Sequence, residues 1–255
     1  MHISVGIICY NEAQNIERCL ESVSWADEII VVDSGSQDNT VSIAKKYTDH
    51  IFQRSWTGYA DQKNFALSRT SCPWVLSVDA DEVVSPVLQA EIRAHLAMDE
   101  AKDGYRIPRL SYYQGKWIRH SGFYPDRQLR LFKRGRGRWI GGRVHERVEI
   151  EGDVGCLKND LLHYPYKGGI TGQLQTVNNF STLLAEDLFH EGKGYHFHLL
   201  LMRPLFKFLE VYLLRLGFLD GLPGFVIAVT SSYAMFVRYV KLREMEKGLG
   251  HERSG

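Results

Sequence analysis

Along the first eighty residues, short continuous apolar runs alternate with segments in which apolar positions recur at helical spacing. Short β-branched and aliphatic runs predict four buried strands, over residues 2–9, 28–33, 50–53 and 74–78. Between the strands, apolar positions recur at helical spacing and predict helices over residues 15–23, 38–47 and 59–68. Strands separated by helices in this way are typical of parallel βαβ units. The pattern therefore predicts an α/β fold built on a mostly parallel sheet.

Polar residues stand where three of these strands end. They are Tyr10, Asn11 and Glu12 after the first strand, Asp33 at the end of the second, and Asp79 and Asp81 after the fourth. In an open parallel sheet, ligands bind in the crevice beyond the carboxyl ends of the strands. We therefore expect these residues to line one crevice.

Asp79 and Asp81 are one residue apart at the end of an apolar run, in VLSVDADEVV. Alternation along a strand would put both carboxylates on one face, where their repulsion favours a hard divalent cation such as Mg²⁺ or Mn²⁺. That cation would in turn bridge to substrate phosphates. A solvated turn is the other interpretation, because Ser85-Pro86 is typical of a helix start just downstream.

Four segments carry a resemblance to a known family. CYNEAQNI, VVDSGSQDNT, QKNFAL and VDADE, in this order, resemble the nucleotide-sugar-binding half of inverting family 2 glycosyltransferases with the GT-A fold. Further on, YPDRQLRLFKR, RWIGGRVHE and LLHYPY resemble lipopolysaccharide-core β-1,4-glucosyltransferases of the WaaE/KdtX type, which add glucose to an inner-core heptose. The expected fold is a Rossmann-like, mostly parallel sheet flanked by helices, followed by C-terminal amphipathic helices.

The resemblance implies a set of contacts to a UDP-sugar donor. It assigns the uracil and ribose to Tyr10, Asn11 and Glu12, and the nucleobase to Asp33. Lys63 and Asn64 are candidate nucleotide-sugar contacts on a helix that could point them into the crevice, where Lys63 would offset diphosphate charge. Asp79 is the expected contact to the ribose or to metal-bound water. Asp33 could instead simply close a Ser-Gly turn, and Lys63 could be a solvated helix lysine.

The same resemblance implies a divalent metal, Mg²⁺ or Mn²⁺, held by Asp81 with Asp79. His163, in LLHYPY, resembles the late histidine that reaches the metal or diphosphate in many GT-A enzymes. His145 is the neighbouring alternative, and a structural histidine remains open for either position.

Inverting transfer needs a base that takes a proton from the acceptor hydroxyl. Glu146, after a strand predicted over residues 139–144, is the favoured candidate, and Asp126 competes with it. Either carboxylate could instead pair with a neighbouring arginine: Arg143 or Arg147 for Glu146, and Arg127 or Arg130 for Asp126. Arg130 and Arg134 could hold an anionic acceptor such as phosphorylated heptose, although a solvated basic loop would explain the same residues.

Composition narrows the function classes. The chain has 255 residues, 44% of them hydrophobic, and a formal net charge of +1, so nothing in its global charge points to nucleic acid. Its 4 cysteines are scattered without metal spacing, which suits a reducing cytosol. No signal peptide precedes the first strand, and we expect the protein on the cytoplasmic side of the membrane.

The last third changes character. Residues 171–189 show a helical pattern, and two apolar stretches with interspersed basic residues follow, over residues 197–221 and 223–244. Charged residues interrupt the first stretch. The apolar part of the second stretch, residues 225–240, is shorter than the about 20 residues that a spanning helix needs. Both stretches are therefore predicted to lie on an anionic membrane surface. Packing on the catalytic domain or on another subunit is the alternative, and the oligomeric state stays open.

The expected organisation is a catalytic domain over residues 1–170 and a membrane-associating helical region over residues 171–255. Residues 1–100 form the nucleotide-sugar half and residues 101–170 the acceptor half. The expected activity moves glucose from UDP-glucose to a lipid-linked surface saccharide, heptose in the inner core. Another surface glycan, a nucleotide-sugar phosphate-transfer enzyme and a non-catalytic scaffold are the alternatives. The phosphate-transfer class normally has a glycine-rich basic loop after the first strand, where this chain has Tyr10-Asn11-Glu12.

Overall fold

The computed structural model describes residues 2–98, 101–141 and 146–248. The chain divides into two compact units, one of Met1–Ser111 with Pro125–Pro165 and one of Tyr112–Tyr124 with Tyr166–Gly255. The functional division expected at residue 170 stays a prediction.

The first unit contains most of the strands. They are β1 (Ile3–Cys9), β2 (Glu28–Asp33), β3 (Ile51–Gln53), β4 (Trp74–Asp79), β5 (Glu82–Val84), β6 (Gly104–Tyr113), β8 (Asp126–Lys133), β9 (Gly137–Ile140), β10 (Arg147–Ile150), β11 (Val154–Cys156) and β12 (Leu161–His163). The main sheet has the order β3-β2-β1-β4-β8-β6-β12-β5, with β11 paired to β6, and β9 forms a separate antiparallel hairpin with β10.

The strands β3, β2, β1 and β4 are parallel to their neighbours, as the sequence predicts. The register pairs Cys9 with Asp33, and Ile8 with Asp79, so the carboxyl ends of β1, β2 and β4 meet at one edge. Strand β8 then inserts antiparallel between β4 and β6. It begins at the edge where the parallel strands end, and it runs back to their amino ends.

The described part of this unit has four helices, namely α1 (Ile16–Val23), α2 (Thr40–Ala44), α3 (Tyr59–Ser68) and α4 (Pro86–Leu96). The core between helices and sheet is aliphatic, and fully buried members include Ile7, Leu20, Leu76, Leu88 and Ile92. The α/β architecture predicted from the apolar runs is confirmed. Helix α2 is shorter than predicted, because Asp38 turns its side chain back to the backbone N–H of Thr40 instead of entering the helix.

The start of α4 confirms the cap that Ser85-Pro86 indicates. The Ser85 hydroxyl accepts a hydrogen bond from the Leu88 amide at 3.3 Å, and Pro86 occupies the first helical position.

The second unit is mainly helical. It contains β7 (Lys116–Ile118), α5 (Gly169–His190), α6 (Phe197–Leu209), a π-turn over Glu210–Leu214, a 3₁₀ turn over Gly217–Asp220 and α7 (Leu222–Glu246). Buried polar groups fix the packing inside this unit. Asp220 accepts hydrogen bonds from the Arg119 and His120 amides and from the Ser121 hydroxyl, while Gln173 on α5 bonds to Thr230 on α7.

Helix α7 is longer at both ends than the second apolar stretch, residues 223–244, that the sequence indicates. Among the described residues it is the one helix that, by length and composition alone, could cross a membrane. One of its faces is covered within the protein, where Gly224, Ile227, Ala228 and Thr230 are buried. Exposed apolar side chains are numerous on α6, on α7 and on the turns between them, as the prediction of apolar C-terminal helices requires.

Candidate active site

Lys63 joins two carboxylates at the carboxyl edge of the sheet. It lies on α3 and is buried, and its Nζ is 2.9 Å from Asp79 Oδ1 and 3.3 Å from Glu146 Oε1. The amine also lies 4.3 Å from the centre of the Trp139 ring. A buried ammonium requires such partners, and this one holds a strand end, a helix and the segment before β10 together.

Arg130, on β8, is the second cation bound to Asp79. Its Nη2 lies 2.5 Å from Asp79 Oδ2 and 3.1 Å from Oε1 of the fully buried Glu82. Burial of the Asp79 carboxyl raises its pKa, but the charges of Arg130 and Lys63 outweigh this and hold the pKa well below its ordinary value. Asp79 is therefore ionised, and each of its oxygens already faces a cation.

Arg109, on β6, extends the network to the other candidate base. Its Nη1 lies 3.3 Å from Glu82 Oε1, and its Nε and Nη2 donate to Asp126 Oδ2 at 2.9 and 2.6 Å. Gln128 donates to the second oxygen of Asp126 at 2.6 Å. Both oxygens of Asp126 are thus hydrogen-bonded.

Asp81 and His163 form a separate pair. Asp81 follows β4 in a turn, and its Oδ2 lies 3.4 Å from His163 Nε2 at the end of β12. Nδ1 of the same ring is 3.0 Å from the Ser111 hydroxyl, which fixes its orientation. Because the strand ends at Asp79, the alternation argument fails for Asp81, and the two aspartates face different partners.

A carboxylate and an imidazole are suitable ligands for Mn²⁺, and the carboxylate also supplies an oxygen of the kind that Mg²⁺ takes. Within residues 2–98, 101–141 and 146–248, no group of three or more His, Cys, Asp or Glu side chains is arranged to hold an ion. The Asp81–His163 pair therefore fits a cation whose other ligands come from water and substrate phosphate.

The residues after β1 form the expected polar end of the crevice. The Tyr10 side chain is 55% exposed, so its ring is open for stacking. Asn11 has a φ of +53°, and its side-chain carbonyl accepts the Gln37 amide at 2.7 Å. The backbone amide of Glu12 donates to Thr40 Oγ1 at 2.7 Å. The loop is thereby held firmly against the segment after β2.

Asp33 is fully buried, and both of its carboxylate oxygens are engaged. Oδ2 accepts from the Gly35 and Ser36 amides, both at 3.0 Å, and Oδ1 accepts from the Ser36 hydroxyl at 2.5 Å. This geometry favours the turn-closing interpretation over a direct contact to a nucleobase.

The side chain of Asn64 is hydrogen-bonded to the backbone of Trp139. Its Nδ2 donates to the Trp139 carbonyl at 2.8 Å and its Oδ1 accepts the Trp139 amide at 2.9 Å. The expected nucleotide-sugar contact is not favoured, because both ends of the amide are used. The pair of bonds instead fixes the indole against Lys63 and Arg130.

The two arginines that the sequence suggests for the acceptor have different surroundings. Arg130 is buried and bound to two carboxylates, and Arg134 is exposed beyond the end of β8, where its amide donates to Pro73 just before β4. Arg134 is thus at the amino end of β4, about 16 Å along the strand from Asp79. Neither placement favours acceptor binding. His145 and the end of the strand predicted over residues 139–144 lie outside the described residues.

Comparison with known proteins decides the family. Residues 4–149 match Glycosyl transferase family 2. Over 248 residues the chain is 34% identical to the lipopolysaccharide core biosynthesis glycosyltransferase LpsC of Rhizobium meliloti, covering 94% of this chain and 91% of LpsC. The chain belongs to glycosyl transferase family 2.

Other similar proteins match over nearly the whole chain. An uncharacterized glycosyltransferase of Rickettsia typhi, RT0209, is 35% identical over 254 residues, covering 95% of this chain and 87% of that protein. The crystal structure of S. aureus TarS 1-349 superimposes with a TM-score of 0.50 at 16% identity, covering 97% of this chain and 92% of TarS. The TarS comparison supports the fold, and with the family it confirms the GT-A expectation.

Membership of family 2 makes this chain a glycosyltransferase, so the phosphate-transfer alternative is not supported. Sequence reasoning assigned no role to three residues of the network, Glu82, Arg109 and Trp139. Glu82 directly follows the acidic pair in sequence. Its burial could not be predicted, because a cluster of acidic residues is usually exposed to solvent. Arg109 lies on a long antiparallel strand that has no motif, and only the sheet order brings it to Asp126.

Proposed function

We propose that this family 2 enzyme is an inverting hexosyltransferase that moves glucose from UDP-glucose to a lipid-linked bacterial surface saccharide, with an inner-core heptose as acceptor. The observation that carries the proposal is the 34% identity to LpsC, named for lipopolysaccharide core biosynthesis, over 94% of this chain. Glucose and heptose follow from the resemblance of the segments around Asp126, Glu146 and His163. Another surface glycan, in a capsule, O-antigen or exopolysaccharide, is the alternative acceptor.

Glu146 is the proposed catalytic base. It takes the proton from the acceptor hydroxyl while that oxygen attacks the anomeric carbon on the face opposite the leaving UDP, which inverts the configuration. Its proximity to Lys63 supports this role, because the buried ammonium at 3.3 Å orients the carboxylate. Asp126 would have to give up its contacts to Arg109 and Gln128 to act in the same way.

Asp81 and His163 are the proposed metal ligands. When bound, Mg²⁺ or Mn²⁺ would neutralise charge that develops on the leaving diphosphate. Asp79 fits a different role, because Lys63 and Arg130 already balance its charge and leave it as the element that fixes the amine of Lys63. Ser111 would keep His163 turned toward Asp81.

The donor nucleoside is proposed to lie beyond β1, with the uracil on the exposed ring of Tyr10 and the ribose near Glu12. Asn11 would shape this loop through its left-handed backbone rather than through its amide, which is bonded to Gln37. No nucleic-acid partner is proposed.

An anionic membrane surface is the proposed partner of the second unit, on the inner face of the cytoplasmic membrane. Large apolar side chains on α6, α7 and the turns between them are exposed, and we call them the apolar face: Phe197, Leu201, Leu205, Phe206, Leu213, Leu214, Leu216, Phe218, Leu219, Leu222, Phe225 and Tyr233. Six Lys or Arg residues but only two acidic residues stand between positions 197 and 243. Asp220 is buried, and Glu210 is paired with Lys207 and Arg215. This excess of positive charge suits anionic lipid headgroups.

The test of the activity uses purified protein, UDP-glucose, Mn²⁺ and a deacylated heptose–Kdo oligosaccharide. The proposal expects one added hexose by mass and a product anomer inverted relative to the donor. Glu146→Gln should lower turnover by at least about 100-fold and still bind UDP. Glu149→Gln, a change to an exposed acid on the same hairpin, should have no effect. Near-normal turnover of Glu146→Gln would exclude Glu146 as the base.

A further inference from the structure

Two aromatic side chains stand exposed where the loop after β3 leads into α3. Trp56 is 49% exposed and Tyr59 is 36% exposed, and their rings meet edge to face with centroids 4.7 Å apart. Edge-to-face packing leaves the face of one ring open. The catalytic and donor roles proposed above use neither residue.

The segment that carries these rings is held rigidly. Arg54 forms an ion pair with Asp61 at 2.6 Å, and the Thr57 hydroxyl bonds to the same carboxylate. The fully buried Gln62 donates to the carbonyls of Arg54 and Ser55 at 3.2 and 2.8 Å. A surface that is fixed before binding loses little conformational entropy when a ligand stacks on it.

The position of Tyr59 points toward the reacting groups. It lies one helical turn before Lys63 on α3, so the two side chains share a face with their Cβ atoms about 6 Å apart. The amine of Lys63 in turn contacts Glu146. Burial raises the pKa of the Tyr59 hydroxyl, and the negative charge of Glu146 is the next largest cause, which agrees with this proximity.

We propose that Trp56 and Tyr59 form a stacking platform for a pyranose ring of the acceptor saccharide, next to Glu146. The inference rests on the proposed function. A sugar ring offers an apolar face of C–H groups to the indole and a rim of hydroxyls, one of which the Tyr59 hydroxyl can bind. The platform would hold the acceptor while its hydroxyl gives its proton to Glu146. Tyr10, on the loop after β1, is left for the nucleoside.

The test compares the KM values for the two substrates, with the deacylated heptose–Kdo oligosaccharide as acceptor and UDP-glucose as donor. Trp56→Ala should raise the acceptor KM about 5- to 10-fold, a typical range for one aromatic stacking contact, with little change in the donor KM. Trp56→Phe should recover part of the loss. Tyr112→Ala is the matched control, because Tyr112 is also an exposed ring in an edge-to-face pair, with Trp117 in the second unit.

A rise in the donor KM alone would overturn the platform and assign Trp56 to the nucleoside. If the wild type transferred the hexose and Trp56→Ala had the same acceptor KM, the platform would be contradicted but the proposed function would not. A wild-type enzyme that transfers nothing to this oligosaccharide would contradict the proposed function and, with it, the acceptor assigned to the platform.

Discussion

The amine of Lys63 lies 3.3 Å from the carboxylate of Glu146, and it is buried. The two residues are far apart in sequence, on α3 and just before β10. Through its second bond, to Asp79 at 2.9 Å, the same amine connects the candidate base to the end of β4. The acidic motif therefore contributes to the candidate site in two ways, with Asp79 positioning the lysine and Asp81 facing His163.

Replacing Lys63 with methionine should lower turnover by about 100-fold, because the change keeps the side-chain bulk but removes the charge that orients Glu146. Steady-state rates with UDP-glucose and the heptose–Kdo oligosaccharide measure the effect. Lys46→Met, at an exposed lysine of the same unit, serves as control. Equal rates for the two variants would show that the contact between Lys63 and Glu146 has no role in turnover.

Ser111→Ala should weaken Mn²⁺ binding about 10- to 100-fold, because it removes the hydrogen bond that orients the His163 ring. Asp81→Asn should weaken it at least as much. Calorimetric titration with Mn²⁺ in the presence of UDP gives the affinities. Asp126→Asn changes a carboxylate that is bound to Arg109 and should leave Mn²⁺ affinity unchanged. If Asp126→Asn weakened binding and Asp81→Asn did not, the metal would lie elsewhere.

Asp79→Asn should destabilise the fold by about 3–5 kcal/mol at pH 7, because Lys63 and Arg130 lose a buried counter-charge. The pKa of Asp79 is lowered in the folded state, so its contribution is present above the ordinary aspartate pKa of about 4 and is lost as pH falls below it. Urea unfolding between pH 7 and 3 should show the difference between the variant and the wild type starting to shrink below about pH 4. A difference that stays constant across this range would contradict the assignment.

Leu214→Gln combined with Phe206→Gln should weaken flotation with vesicles that contain phosphatidylglycerol, because both side chains belong to the apolar face. The Leu214 side chain is 80% exposed. Val87→Gln is the matched control, since Val87 is 61% exposed but lies on α4 in the first unit. High salt should release the wild type from the vesicles, whereas a membrane-spanning α7 would resist it. Light scattering of the wild type and the double variant without vesicles gives their molecular masses, and so separates lipid binding from dimer formation.

The sequence predicted the parallel half of the sheet because its strands are continuous apolar runs between helices. Strand β2 and helix α3 match their predicted bounds. The antiparallel half was harder, because β6 and β8 carry arginines at positions that the network buries or pairs. The local sequence around Arg130 does not distinguish a buried arginine from a solvent-exposed one. Its burial follows from the ion pairs with Asp79 and Glu82, which are distant in sequence.

The candidate site shows the same limit. The order of motifs brought Tyr10, Asp33, Asp79 and Glu146 into consideration, but a motif does not tell whether a carboxylate is already satisfied by its neighbours. Asp33 is bonded within its own turn, and Asp126 is bonded to Arg109. The pairing of Asp81 with His163 agrees with the metal site that the resemblance implies, and its role stays a prediction.

The most direct test of the proposed function is the mass of the surface oligosaccharide from a strain that lacks this gene. We expect the deletion to remove one hexose from the inner core, the intact gene to restore it, and Asp81→Ala or Glu146→Gln to fail to restore it. An unchanged core mass in the deletion strain, or full restoration by Glu146→Gln, would contradict the account.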